Sequence, residues 1–547
     1  MKLLIITAFL LIVAVGCSDK KDEDKISAQP DTLSIPDETE TIPEGKDVDK
    51  DNILSQPDND IDFVSDESEI IYPQDADIKI EESDKSLPAD FFGYYDSEKK
   101  YVLSWSKPEK LPDLWEIERK MNDEAEFVKV GEISPEETAF RDDGFIKEKE
   151  PEYRLVIVAD GQKKAAGTVK SAIKTWTLIR FFSFDATWGG DMPDKKEAEA
   201  QAFWNTVYFT DNPNINVVSE ADYGGNLGSM WGYPDSENPD GFTIIDKPEI
   251  NFGKPSDHKA FVDWAVEKFP AQRYAFSLWS HGSGPIGAFE NLRSVGIDET
   301  DSDELDPEET GELFSYITAA GGKKIDVAFF CACLTNTTEN NYAIRNYTKY
   351  IVAGESVVGC GSELLSTLKS EYGKTSAEIA AYHSEQQIGN MEKDVVFSAV
   401  AAEHLSMLAL KLNSIAVKIG EAVKSDSMLR EKILETAAKT QNMKYMTDSS
   451  PNTEWAYLDL VDFLNKISEI KIPGVLELAS ETSDFIKTRL IIQKSIQNDL
   501  DALYPNAGGI SIYHPTADYK VYRSVYDKRS FAQESFWGMY LKMLIQE

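Results

Sequence analysis

From Lys174 onward, short and almost wholly apolar runs alternate with segments of helical spacing, and this alternation constrains the fold more than any other feature of the chain. Runs without polar alternates suit strands buried on both faces, so the pattern predicts an α/β unit with a mostly parallel sheet and helices on each side. The expected strands are 176–184, 215–219, 274–279, 325–330 and 350–353. Expected helices cover 198–207 and 261–269, the second with Phe261, Trp264, Ala265 and Val266 on one face and Pro270 after its end. Helix-compatible stretches follow at 307–317, 337–350, 375–424, 427–438 and 457–467, with a late strand at 509–513.

Two of the expected strands end in reactive side chains. Ile325-Asp326-Val327-Ala328 leads into Phe329-Phe330-Cys331-Ala332-Cys333-Leu334, and 274–279 leads into Ser280-His281-Gly282-Ser283-Gly284. The carboxyl ends of strands in open α/β sheets face a crevice, where the following helix also offers its N-terminal N–H groups. A histidine about fifty residues ahead of a cysteine, each at a strand end, is the arrangement of caspase-type proteases. Peptide hydrolysis by such a pair needs a thiolate, a proton carrier and donors aimed at the tetrahedral oxyanion. Each residue alone has an ordinary reading, since cysteine is among the most buried residue types and a loop histidine is common. The other histidines, His258, His383, His404 and His514, are scattered and carry no expected role.

The amino-terminal portion divides by composition. Residues 1–17 hold a lysine at position 2, an apolar run too short to span a bilayer, and small residues before Cys17, as in a bacterial lipoprotein signal. Lipid on Cys17 would anchor the chain to a membrane of the bacterial envelope. Residues 18–87 are crowded with Asp, Glu, Lys, Ser and Pro and bury too little apolar surface to offset chain entropy, so they read as a tether. Their acidity contributes to a net charge of -40, which argues against a nucleic-acid partner because phosphate binding requires a basic surface. Between 88 and 172, short alternating runs separated by turn residues predict a small all-β sandwich. Its Leu103-Ser104-Trp105, Glu116-Ile117-Glu118-Arg119 and Tyr153-Arg154-Leu155 segments are similar to a fibronectin type III domain, which makes Trp105 core and Tyr153 a structural corner. With four cysteines, one expected to carry lipid, a chain of this length is expected to rely on its core rather than on disulfides.

Residues 173–547 resemble the clostripain-like C11 cysteine peptidases. The resemblance is carried by Trp176-Thr177, by Phe269-Pro270-Ala271 and Arg273-Tyr274 leading into Leu278-Trp279-Ser280-His281-Gly282-Ser283-Gly284, and by Ile297-Asp298 and Ala332-Cys333-Leu334. It continues through Ile351-Val352-Ala353-Gly354-Glu355, Phe397-Ser398-Ala399-Val400, Tyr457-Leu458-Asp459-Leu460 and Gly509-Ile510-Ser511-Ile512-Tyr513-His514-Pro515. It implies a caspase-like three-layer fold and a cysteine endopeptidase acting on protein or peptide substrates through a Cys/His dyad and a thioester. In this register Cys333 is the nucleophile, His281 gives a proton to the leaving amine, and the N–H groups of Gly282 and Cys333 face the oxyanion. Calcium binding is also implied; acidic loops such as 298–309 are available for it, but the ordinary reading of such a loop is solvation.

Two departures bear on specificity. The family places an aspartate two residues before the nucleophile, in the pocket for a basic side chain; Cys331 stands there instead. Residues two apart on a strand face the same way, so Cys331 belongs at the pocket wall beside Cys333, without a charge to pair Arg or Lys. Cys331 is also open to competing as nucleophile or to oxidation with Cys333 or Cys360, although the family register selects Cys333 as the nucleophile. The loop 356–362 also lacks the family's proline and tryptophan. These departures keep open a second class of function, a non-catalytic surface lipoprotein or adhesin on a degenerate peptidase scaffold.

Overall fold

A computed structural model describes residues 84–547 apart from 186–211, 225–226, 287–293, 389–393, 444–456, 498–502, 518–523 and 546–547. The expected leader with Cys17, the acidic segment as far as residue 83 and the expected helix 198–207 therefore lie outside the described residues.

Two small antiparallel sheets form the amino-terminal module. Strands β1 (Phe91–Tyr95), β2 (Tyr101–Trp105) and β5 (Ala139–Arg141) make one sheet in the order β1-β2-β5. Strands β3 (Leu114–Lys120), β4 (Val128–Ile133), β6 (Glu152–Ala159) and β7 (Gln162–Lys170) make the other, in the order β4-β3-β6-β7. Alternate residues of β2, β3 and β6 meet in one cluster with Trp105 against Trp115 edge to face, as the period of a half-buried strand requires. Tyr153 lies in the same cluster, and its hydroxyl donates to Asp142 Oδ2 at 2.6 Å.

The main sheet has nine strands. In chain order they are β8 (Lys174–Ser183), β9 (Ile215–Asp222), β10 (Ser229–Pro234), β11 (Phe242–Lys247), β12 (Ala271–Trp279), β15 (Ile325–Cys331), β16 (Thr348–Gly354), β17 (Val395–Ala401) and β19 (Ile491–Gln497). Their spatial order is β11-β10-β9-β8-β12-β15-β16-β17-β19. The sheet is mixed rather than mostly parallel. β9, β8, β12, β15 and β16 pair in parallel, while β10, β11, β17 and β19 pair antiparallel at the two margins. The central strands are joined by long connections that carry helices such as Pro255–Lys268 and Pro307–Gly321, which parallel pairing demands; short links allow hairpins at the β9–β10–β11 margin. Pro307–Gly321 opens with a capping box from Asp306 and Glu309 and closes on Gly322 at φ 66°, so its limits follow from its sequence.

Three expectations are corrected. The stretch 375–424 is not a helical run: Ser376–Gln386 and Leu405–Ser425 are helices, but β17 lies between them, buried along its whole length. A short run buried on both faces has no periodicity to distinguish strand from helix. The helix expected over 337–350 stops at Ile344, and Thr348 already belongs to β16. Tyr457–Asp459 is strand β18 of a two-stranded sheet with β20 (Ser511–Tyr513); the helix starts only at Leu460.

The β module docks on the amino-terminal ends of the central strands. Gly93 N donates to Gln272 Oε1 at 2.7 Å, Tyr95 N to Asn214 Oδ1 at 2.7 Å, and Thr175 Oγ1 to Gly93 O at 2.7 Å. Lys349, near the start of β16, reaches Asp90 at 2.8 Å and Asp326 at 2.7 Å. The carboxyl ends of β8, β12 and β15, at the other edge of the sheet, stay clear of the module.

Candidate active site

β12, which leads to His281, and β15, which leads to Cys333, are parallel neighbours in a defined register. The pairing ends at Trp279 opposite Cys331, and Ser280 N donates to Cys331 O at 3.3 Å. His281 and Cys333 each stand two residues past the last paired residue of their strand. The two chains approach closely one residue on. A Cβ on Gly282 would stand 2.2 Å from Cys333 O and 3.0 Å from Cys333 N, so only glycine permits the approach.

The turn that presents Cys333 is held from several sides. Leu334, fully buried, takes φ 54°, a left-handed conformation uncommon outside glycine, and its N–H donates to Ser356 O at 3.0 Å. Thr335 Oγ1 donates to Ala332 O at 3.0 Å, and Thr337 caps the helix Thr338–Ile344. Asn336 is wholly buried; its Nδ2 reaches Ser398 Oγ at 2.6 Å, Gly509 O at 3.1 Å and Ala353 O at 3.3 Å, and its Oδ1 accepts from Asn341 at 2.6 Å. Cys333 itself is partly exposed, with Sγ 3.4 Å from both the N–H and the carbonyl of Val358. The thiol is therefore reachable while its immediate support is closed to water.

Cys331 is not a free thiol. It is disulfide-bonded to Cys360 with Cα atoms 5.7 Å apart, which corrects the expectation of a chain without a disulfide staple. Both sulfurs are buried in the cluster that contains Val358 and Leu364. The bridge ties the end of β15 to the loop whose Val358 touches the Cys333 sulfur. Spacing did not single out this pairing, because Cys360 follows a strand that comes alongside Cys331 only through the β15–β16 pairing.

Burial holds the His281 imidazole below its ordinary range, and Glu299 partly offsets this. Tyr504, close to Cys333, is pushed up to about 12 by burial first and then by Asp394, Cys333 and Glu355. Behind the turn, Glu355 and Asp459 form a buried carboxyl pair, both raised by burial, with Glu355 driven further by the Asp459 charge. Glu355 Oε2 accepts from Gly509 N at 2.9 Å, and Asp459 caps the helix Leu460–Ile467, so the pair braces the same segment that receives Asn336. The remaining histidines serve packing. His258 is buried against Glu220 and Phe252 O, and burial lowers His383 to about 3 and His514 to about 4. His404 lies beside Glu403 and Phe485, away from the β12 and β15 ends.

Next to the His281 loop stands a second cluster that no local motif announced. Asp185 follows β8, Asp222 ends β9, Glu249 follows β11, and Asp298 ends β13 (Val295–Asp298), which pairs with β14 (Asp303–Leu305). One carboxylate oxygen from each of the four lies within 4.8 Å of the others. Asp298 is buried, so this part of 298–309 is not a solvated loop. Burial and the neighbouring carboxylates raise Asp222 to about 8 and Asp298 to about 7. Sequence reasoning had only Asp298 in view, because the four are gathered from strand ends spread over more than a hundred residues.

Comparison with known proteins gives consistent matches. The family model described as the clostripain family matches residues 208–543, more than half of the chain. The chain is 23% identical over 319 residues to clostripain of Hathewaya histolytica, covering 50% of this chain and 59% of that protein. It thus spans less than two thirds of the length of this curated relative. Among solved structures it is similar to an inactive zymogen C11 protease from Parabacteroides distasonis, with TM-score 0.47, 16% identity, and 66% of this chain and 98% of that one covered. It is also similar to a secreted C11 cysteine protease from Bacteroides thetaiotaomicron in complex with an irreversible peptide inhibitor, with TM-score 0.43, 15% identity, and coverage of 68% and 98%.

Proposed function

Because the chain belongs to the clostripain family, we propose that it is a cysteine endopeptidase in which Cys333 attacks the scissile carbonyl and His281 carries the proton. The observation that supports this most is the parallel pairing of β12 and β15, which lead to His281 and Cys333, together with Gly282 against the Cys333 backbone. A half-buried imidazole held below its usual range is neutral near pH 7 and accepts the Sγ proton as the carbon–sulfur bond forms. The N–H groups of Gly282 and Cys333 receive the oxyanion. His281 then returns the proton to the amine as the carbon–nitrogen bond breaks, which leaves a thioester on Cys333. Water attacks the thioester, gives a proton to His281, and frees the carboxylate product and the thiol.

The substrates are proteins or peptides, and the wall beside Cys333 is the Cys331–Cys360 bridge rather than a carboxylate. That position therefore offers no charge to pair Arg or Lys at the residue before the scissile bond. The β module is a fibronectin type III-like spacer, since it docks at the sheet edge opposite the site. Lipidation at Cys17 anchors the protein in the bacterial envelope, and the charge of -40 argues against a nucleic-acid partner. The uncharged bridge at the pocket also favours a second reading, a non-catalytic surface protein on a peptidase scaffold. Hydrolysis of a mixed peptide library by wild type and by Cys333→Ala separates the two. Cleavage lost in the variant supports the peptidase, and equal activity in both sinks the role given to Cys333. No cleavage by either supports the scaffold reading.

A further inference from the structure

We propose that the surface beside the Cys333 sulfur selects an uncharged, apolar substrate side chain of leucine, methionine or phenylalanine size, with the Trp279 ring and the Cys331–Cys360 bridge as the selecting walls. The proposal names a substrate class for the site described above, and it rests on the peptidase reading only in calling that side chain the residue before the scissile bond.

The sheet register assembles the walls. Trp279 pairs with Phe182 on one side and with Cys331 on the other, and partners in register on a pleated sheet project to the same face. That face is open at its carboxyl end. Ser277 and Trp279 are half-buried, whereas Phe276 and Leu278, which alternate with them along the same central strand, are buried. The Trp279 ring meets Phe182 edge to face with 6.0 Å between centroids, and it packs against the apolar cluster that holds Cys331, Cys360 and Val358. Val358 in turn touches the Cys333 sulfur through its backbone. An indole, a disulfide and the nucleophile thus lie along one surface.

Charge is disfavoured there in both signs. Two residues before Phe182 on the same face, Arg180 is buried, pairs with Glu363 Oε2 at 3.0 Å and stacks over Phe182 at 4.5 Å. Glu363 follows closely on Cys360, so the ion pair stands behind the bridge. A basic side chain would have to take Glu363 from a buried arginine, and an acidic one would have to take Arg180 from Glu363. Either exchange leaves a charge unpaired away from water, which is strongly unfavourable. An apolar side chain disturbs neither partner and gains contact with the indole and the polarisable sulfurs. In an apolar pocket a single methylene discriminates by about 10–200-fold, so a side chain of leucine size is favoured over alanine by about tenfold or more.

The test uses peptides with one variable position in an otherwise alanine, glycine and serine sequence, so that the varied side chain sets the register. Cleavage by wild type is read as kcat/KM, and binding of the same peptides to the full chain carrying Cys333→Ala is read by fluorescence anisotropy, which scores the walls apart from the chemistry. Leucine, methionine or phenylalanine should direct cleavage to the bond just after it and exceed alanine, lysine, arginine, aspartate and glutamate by about tenfold or more in both readouts. Trp279→Ala should cut the leucine-to-alanine ratio by about tenfold, chiefly through KM; loss of folded protein scales both peptides equally and leaves the ratio unchanged. Cys331→Asp combined with Cys360→Ala puts a lone carboxylate on the wall and should raise lysine over leucine by about tenfold or more. Wild type that cleaves best after a charged residue, or without preference, overturns the proposal and leaves the peptidase standing. An apolar preference in binding with no cleavage supports the walls and sinks the peptidase, and no preference in either readout overturns both. A Trp279→Ala ratio equal to that of wild type also overturns the proposal.

Discussion

Gly282→Ala is the smallest change that should disable the site. The added methyl would stand 2.2 Å from Cys333 O and 3.0 Å from Cys333 N, where ordinary carbon contacts are about 3.5 Å. One backbone must then retreat by about 1.3 Å, and the two residues that move are the neighbour of His281 and the nucleophile itself. A misplacement of about 1 Å at reacting groups costs about a hundredfold in rate, equivalent to about 2.7 kcal/mol. Overpacking should cost about 1–3 kcal/mol of stability, so the variant should still fold. Gly282 is not among the glycines with positive φ, so backbone strain does not confuse the result. The assay is kcat/KM on a cleaved library peptide beside Tm and circular dichroism. A folded variant within twofold of wild type refutes the claim that this approach sets the catalytic geometry.

Further outcomes follow from the same contacts. Asn336→Ala removes the donor to Ser398 Oγ and Ala353 O and the acceptor of Asn341 Nδ2, while Gly509 O keeps Ser398 Oγ, and should cost about 2–3 kcal/mol in urea unfolding, with a fall in kcat larger than the change in KM. Replacing Cys331 and Cys360 together by alanine opens a loop with a sequence separation of 29, worth about 3–4 kcal/mol, and should lower activity because Val358 no longer holds the sulfur; equal urea midpoints for the pair and wild type would count against this. For pH, neutral His281 is the competent form and its value is lowered, so the acid limb of kcat/KM should lie below the ordinary histidine value of about 6.5. In Glu299→Gln the limb should move lower still, because Glu299 raises His281; a limb moving upward contradicts the assignment. The linkage has a definite sign: below about pH 6.5 the unfolded chain binds the His281 proton that the folded chain refuses, so this contribution to stability falls as pH drops toward the lowered folded value.

Part of this was readable from the chain and part was not, for physical reasons. The central strands announce themselves because β8, β12 and β15 are buried along nearly their whole length and so carry uninterrupted apolar runs. His281 and Cys333 stand out because each closes such a run. β17 was hidden in helix-compatible sequence, since a two-sided buried strand shows no alternation. The marginal strands β10, β11 and β19 are only partly buried and have weak patterns. Asn336, the Cys331–Cys360 bridge and the four carboxylates share one property. Their partners come from distant strand ends, and only the sheet order brings them together.

The central claim is most directly tested by mapping the adduct of a thiol-directed peptidyl probe by mass spectrometry in wild type and His281→Ala. The account predicts a single adduct on Cys333 in wild type and a labelling rate at least about a hundredfold slower in the variant. An adduct elsewhere, or equal labelling rates in the two proteins, contradicts it.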